Sequence, residues 1–236
     1  MEDNVLSQWD DAARSYSLHQ QASFDGQFER RLLRQLLPDL NGQTVLDAGC
    51  GDGGSSAVLQ QLGALVRGCD GSSKMVDLSR QNHPDIPFEL ADLCAALPYA
   101  DNLFDFILCN LVLMDIDPVT PFFAEARRVL KPDGRLLVSI VHPAFFTGDW
   151  EVDAQGQKQA KKVYDYLNPH TEMLDFWGPT THYHRPVSIY INTAAQNSLY
   201  LEQMVEPSPR KEDLPPYKFH LARIPLYLFF LFKRFA

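Results

Sequence analysis

Val45-Leu46-Asp47-Ala48-Gly49-Cys50-Gly51-Asp52-Gly53-Gly54 is an apolar run that closes on an acid, passes through a glycine-rich turn and opens onto a helical pattern beginning near Ser55. Glycine is demanded in such a turn because the backbone needs positive φ there, or because a ligand approaches it closely. A strand, a glycine turn and a helix are the first half of a βαβ unit. The stretch therefore predicts an α/β chain built on a parallel sheet.

The same alternation continues outward. Strands are expected at 44–48, 65–69, 88–90, 104–109 and 134–140, with helices starting near Ser55, Ser73 and Thr120 and a turn at Pro132-Asp133-Gly134. Upstream, Phe28, Leu32, Leu33, Leu36 and Leu37 recur at helical spacing until Pro38 and Gly42 end the run. After Val141 the rhythm breaks. The segment 142–183 has no clear period and is rich in aromatic residues, among them Phe146, Trp150, Phe176 and Trp177, with histidines on its flanks. A structureless loop of that length is improbable, so an inserted cap with its own hairpin or short helices is expected, with Asp153-Ala154-Gln155-Gly156 as a hairpin tip. A helix at 186–197 and strands at 200–205 and 224–232 complete the chain.

Composition sets the bounds. With 236 residues, 45% hydrophobic and 22% charged, the chain can bury one large core. A net charge of -9 disfavours a broad grip on nucleic acid, which needs clustered cations; a small-molecule partner is the default. Cys50, Cys69, Cys94 and Cys109 lack CxxC spacing and read as buried thiols of a cytoplasmic protein. No His, Asp and Glu spacing argues for a metal. The polar stretch from Met1 to Gln20 has no apolar core of a secretory signal. The apolar run at 224–232 is too short to cross a bilayer, so no stable membrane insertion is expected. The oligomeric state is left open.

Three acids, Asp47, Asp70 and Asp92, fall at the carboxyl ends of successive strands, where open α/β sheets bind ligands. The quoted stretch resembles the first motif of the class I S-adenosylmethionine-dependent methyltransferases, an acid, any residue, then Gly-x-Gly-x-Gly. Gly68-Cys69-Asp70-Gly71-Ser72 with Met75, then Ala91-Asp92-Leu93, Phe104-Asp105-Phe106-Ile107 with Asn110, and Val129-Leu130-Lys131-Pro132-Asp133-Gly134 resemble the later motifs in order. Asp133 stands where a second glycine is usual. Ser139-Ile140-Val141-His142-Pro143, Tyr183-His184-Arg185-Pro186 and Val205-Glu206-Pro207 are similar to small-molecule methyltransferases related to the ubiquinone and menaquinone C-methyltransferases, although Asn197-Ser198-Leu199 replaces a usual glycine.

The resemblance implies a Rossmann-like, mostly parallel seven-stranded sheet with helices on both faces and a cap insertion after the fifth strand. It is expected as a single domain over 1–236: N-terminal helices at 1–40 over the cofactor, a cofactor-binding core at 44–141, an acceptor-side cap at 142–185, and a C-terminal helix and strands at 186–236. It implies S-adenosyl-L-methionine as cofactor and S-adenosyl-L-homocysteine as product. The ribose would lie on Asp70 and the adenine beside Asp92, flanked by Ala91 and Leu93. Gly49, Cys50, Gly51, Gly71, Ser72, Met75, Asn110 and Leu111 are the remaining expected contacts, with Tyr16 from a short helix, Trp9-Asp10-x-x-Ala13-x-x-Tyr16, that closes over them. Asp47 either touches the methionine end or only holds the glycine turn. Asp105 is expected to face away.

The methyl group would pass by in-line displacement to a small acceptor through nitrogen, oxygen or carbon. His142 and His184 are the candidate bases; each is as readily a residue that hydrogen-bonds the cap, and Arg185 can tie the cap to the core. Two other readings stay open: a partner protein that binds S-adenosylmethionine without catalysis, and an NAD(P)-dependent oxidoreductase, since Gly49, Gly51 and Gly54 with Asp70 also satisfy a dinucleotide fingerprint.

Overall fold

The computed structural model describes residues 5–207 and 209–235. The first four residues of the polar N-terminal stretch, Ser208 of the proline-rich loop and Ala236 lie outside the described residues. Helices α1 (Val5–Ala22) and α2 (Phe24–Leu36) lead to β1 (Thr44–Ala48). The Ser23 hydroxyl caps α2 by accepting from the Gly26 amide. That helix ends at Leu36, because Pro38 pushes the residue before it out of the helical region, and Leu37 is extended.

From β1 the chain runs through α3 (Gly54–Gln61), β2 (Leu65–Asp70), α4 (Ser73–Asn82), β3 (Phe88–Leu90), β4 (Phe104–Asn110), α5 (Thr120–Val129) and β5 (Leu130–Val141). The cap follows as two hairpins, β6 (Trp150–Val152) with β7 (Lys158–Lys161), and β8 (His170–Asp175) with β9 (Pro179–His184). Helix α6 (Val187–Gln196), β10 (Leu199–Val205), two short 3-10 turns and β11 (Tyr227–Arg234) close the chain.

The central sheet has seven strands in the order β10-β11-β5-β4-β1-β2-β3. Strands β3, β2, β1, β4 and β5 are parallel, while β11 is antiparallel to β5 and β10 to β11. The core forms on β4, β5 and β11, where Phe104, Phe106, Phe229, Phe230 and Phe232 are fully buried. The connections after β1 build toward one edge and those after β4 toward the other, so the order reverses between these two neighbours. A crevice opens at their carboxyl ends, and it is there that such sheets take ligands.

Two element boundaries differ from the sequence reading. The fifth strand begins at Leu130 rather than Gly134, because Leu130 already pairs with Phe104 and the turn containing Asp133 (φ 64°) is an excursion before pairing resumes between Arg135 and Phe106. The last strand begins at Tyr227 rather than Ile224, in keeping with Pro225, which has no amide to donate to a ladder. Asp105 lies away from the crevice, at the start of β4. It accepts the Thr44 amide and pairs with the Lys131 ammonium at 2.8 Å.

Candidate active site

The turn after β1 is pinned to β2 by the Gly49 and Cys50 amides, which both donate to the Cys69 carbonyl. Gly49, Gly51 and Gly53 have φ of 76°, 53° and 86°, so left-handed backbone is used at every second residue. At Gly51 this turns the amide onto the Asp70 carboxylate at 2.9 Å. The Ser72 amide donates to the other Asp70 oxygen, also at 2.9 Å. Asp70 is thus oriented by two backbone donors from two turns, with lone pairs to spare. A Cβ at Gly51 would meet only the Tyr16 ring, 3.6 Å away.

Above these strand ends lies a cavity of about 320 Å³. Tyr16, Gly49, Gly51, Asp70, Gly71, Met75, Asp92, Leu93, Asn110 and Leu111, all expected from sequence, line it. Asp47, Cys50, Ser72 and Ala91 do not. Asp47 is fully buried and accepts from the Ser56 hydroxyl at 2.5 Å, its other oxygen has no partner, and burial pushes its carboxyl up to about 7. Buried Cys50 belongs to the hydrophobic core. Ser72 caps α4 through the Met75 amide, and the Ala91 amide donates to the Asp70 carbonyl. These four support the wall from behind. Asp92 is exposed at the mouth, where one oxygen accepts from the Cys94 amide.

The roof is α1 with the β8–β9 hairpin. Asp10 accepts from the Ser72 hydroxyl at 2.6 Å and the Lys74 amide at 3.0 Å, which fastens α1 to the start of α4. The Thr181 amide donates to Gln8. Trp177, from the tip of the second hairpin, sits against Trp9, Tyr16 and His19 with ring centroids 5.1–6.1 Å away. On the far side Phe146, Leu174, Phe176, Thr180, His182 and Leu226 line a more apolar chamber of the same cavity.

The histidines expected to act as bases are not those that the cavity presents, which are His19 and His182. His142 stacks on Phe145, its Nδ1 accepts from the Ala144 amide, and its Nε2 meets Glu206 at 3.0 Å. The His184 Nε2 donates to the Tyr166 carbonyl at 2.9 Å, and its ring stacks on His170. Neither lines the cavity. His182, two residues back along β9, does, and burial pushes its imidazole down to about 4. Arg185 ties the cap's return to the loop after β4 by donating to the Leu113 and Ile116 carbonyls and to Asp117.

Sequence reading also missed Glu29 and Asp115. Both line the cavity, and desolvation raises both carboxyls, that of Glu29 to about 7. A signal for Glu29 was available: it is an acid at a position of α2 whose helical neighbours Gly26, Leu32 and Leu33 are buried. With Asp25, Asp70 and Asp92 these make five carboxylates around the cavity, which no described Lys or Arg lines. Among the described residues no cluster of His, Cys, Asp and Glu could hold a metal ion, and no helix is long and apolar enough to cross a membrane. All four cysteines are free thiols.

Comparison with known proteins agrees with this geometry. Residues 46–138 match the family described as a methyltransferase domain. A demethylmenaquinone methyltransferase from Renibacterium salmoninarum is 35% identical over 146 residues, 61% of either chain. A malonyl-[acyl-carrier protein] O-methyltransferase from Erwinia pyrifoliae is 38% identical over 128 residues, 54% of this chain and 47% of that one. The matched region thus spans about half to three fifths of these relatives' length. The crystal structure of an S-adenosylmethionine dependent methyltransferase from Mesorhizobium loti superposes with a TM-score of 0.76 at 26% identity, over 91% of this chain and all of that one.

Proposed function

We propose that this chain, which carries the domain of the class I S-adenosylmethionine-dependent methyltransferases, transfers a methyl group to a small acceptor held beneath the β8–β9 hairpin. One observation carries the reading: a single cavity joins an acid-lined crevice at the ends of β1, β2 and β4 to an apolar, aromatic chamber under the cap. The residues present fit the cofactor. Left-handed Gly51 leaves open a space that a side chain would fill, and the four lining carboxylates Glu29, Asp70, Asp92 and Asp115, which pair with no described lysine or arginine, suit a ligand bearing a sulfonium and an ammonium.

When bound, S-adenosylmethionine supplies a methyl carbon already activated by the positive sulfur beside it. Asp70, held by the Gly51 and Ser72 amides, is arranged to accept from two vicinal ribose hydroxyls. Asp92 at the mouth is placed to accept from an adenine amino group, with Leu93 and Met75 as apolar flanks. The roof of Trp9, Tyr16 and Trp177 excludes water, so that alignment of acceptor and methyl in a dry site supplies much of the rate. Where the acceptor must lose a proton, His182 takes it on an imidazole nitrogen that burial keeps neutral at pH 7.

The two relatives are named for demethylmenaquinone and for malonyl-[acyl-carrier protein], so the reading stops at a small molecule with an apolar or aromatic body. The test is transfer of label from methyl-labelled cofactor into the small-molecule fraction of a cell extract. Label should enter one compound with the wild-type protein and not with Asp70→Asn. A folded protein that binds S-adenosylhomocysteine yet labels nothing in any extract would leave the non-catalytic binder as the better account.

A further inference from the structure

Glu29 projects from α2 with 5% of its surface exposed, and it lines the cavity. Its carboxyl faces the Asn110 side chain, which favours the charged form, and Oε1 has no partner among the described residues. A buried acid with an empty oxygen is costly unless something donates to it. No described cation does so: Arg30, the next residue, spends its guanidinium on the Gln20 carbonyl, and no described Lys or Arg lines the cavity. That oxygen is left free to accept from a ligand.

We propose that Glu29 is the binding residue for the primary ammonium of the methionyl end of S-adenosylmethionine, an inference that rests on the reading of the cavity given above. The strand order sets the position. Asp92 follows β3, Asp70 ends β2, Gly49 follows β1 and Asn110 ends β4, so these residues succeed one another along the sheet edge in the order β3-β2-β1-β4. A ligand with its adenine at Asp92 and its ribose at Asp70 brings its other end past Gly49 to Asn110, beside which Glu29 lines the same cavity. That end bears an ammonium, a donor of three charged N–H groups, opposite an acceptor with a vacant oxygen. A purely structural contact between α2 and β4 would account for the nearness of Asn110 and leave Oε1 without purpose. The raised carboxyl agrees: part of the Glu29 population is protonated near pH 7 in the free protein, and an arriving ammonium expels that proton.

The experiment is titration calorimetry with S-adenosylhomocysteine and with its analogue lacking the amino group, on wild type and Glu29→Gln. Wild type should prefer the amino compound roughly ten- to hundredfold, the range of a hydrogen bond to a charged group. In Glu29→Gln the preference should shrink to about threefold or less, chiefly by loss of affinity for the amino compound. At pH 7, in buffers of different ionisation enthalpy, wild type should release more protons on binding the amino compound than on binding the analogue that lacks the amino group. An unchanged preference in Glu29→Gln overturns the proposal. So does equal affinity and equal proton release for the amino compound and for the analogue without it, a readout that needs no variant and decides should Glu29→Gln fail to fold. Wild type that binds neither compound overturns the cofactor reading itself, whereas tight binding with no role for the amino group spares that reading and removes only this one.

Discussion

Glu29 also makes a prediction about the protein without ligand. Its carboxyl is raised by burial to about 7, whereas in the unfolded chain it titrates near 4.5. Between these values the folded state holds a proton that the unfolded state has lost, so this group's contribution to stability is present below about pH 4.5 and is lost as pH rises through 7. Glu29→Gln removes the liability and should stabilise the ligand-free protein by about 1 to 3 kcal/mol at pH 8 and by little at pH 4.5. Urea unfolding at the two pH values reads it; a variant less stable than wild type at pH 8 would make the carboxylate structural. The histidines separate in the same way. His182→Gln should lower kcat with little change in cofactor affinity, while His142→Ala should leave kcat alone and cost about 1 kcal/mol of stability, because Glu206 and the Ala144 amide lose their partner. Since burial holds His182 near 4, no fall in kcat should centre on pH 6.5 through this group. Such a fall in wild type, absent in His182→Gln, would mean an imidazole far more exposed to water than this one. The acids on the strand ends were legible in sequence because strand patterning places them. Which histidine faces the cavity was not, since that depends on the register of β9 against β8.

At the scale of elements, α1 roofs the cavity and is fastened there by Asp10. Its carboxylate accepts from the Ser72 hydroxyl and the Lys74 amide at the first turn of α4, a place that favours negative charge. Asp10→Ala should leave the sheet intact and loosen α1 by about 1 kcal/mol, seen as faster amide exchange over 5–22 and weaker retention of cofactor. Exchange as slow as in wild type would show that the ring contacts with Trp177 hold the helix unaided. The parallel strands and their helices could be read from period and glycine alone, and the first cap hairpin from its Asp-x-x-Gly tip, where Asp153 accepts from the Gln155 and Gln157 amides. The second hairpin was illegible. In β8 the residues His-Thr-Glu-Met-Leu-Asp alternate between half-buried and exposed positions: of its inner face Leu174 lines the cavity, and His170 and Glu172 bond one another in place of a core. Hydrophobic patterning is blind to such a strand.

For the whole molecule, the reversal of strand order between β1 and β4 gathers into one crevice residues far apart in sequence, from Tyr16 on α1 to His182 on the cap. Five of the carboxylates behind the net charge of -9 surround the cavity; Lys218 answers Asp25, and a cationic ligand would answer the other four. Ligand binding should therefore stabilise the fold by mass action, by about 2.7 kcal/mol at a hundredfold excess over Kd. The most direct test of the central claim is the affinity of the purified protein for S-adenosylhomocysteine, by calorimetry, beside NAD and beside Asp70→Asn. One equivalent of S-adenosylhomocysteine should bind, NAD should not compete, and Asp70→Asn should weaken binding roughly ten- to hundredfold, as loss of hydrogen bonds to a charged acceptor requires. Binding of NAD in its place, or an Asp70→Asn variant with wild-type affinity, would contradict it.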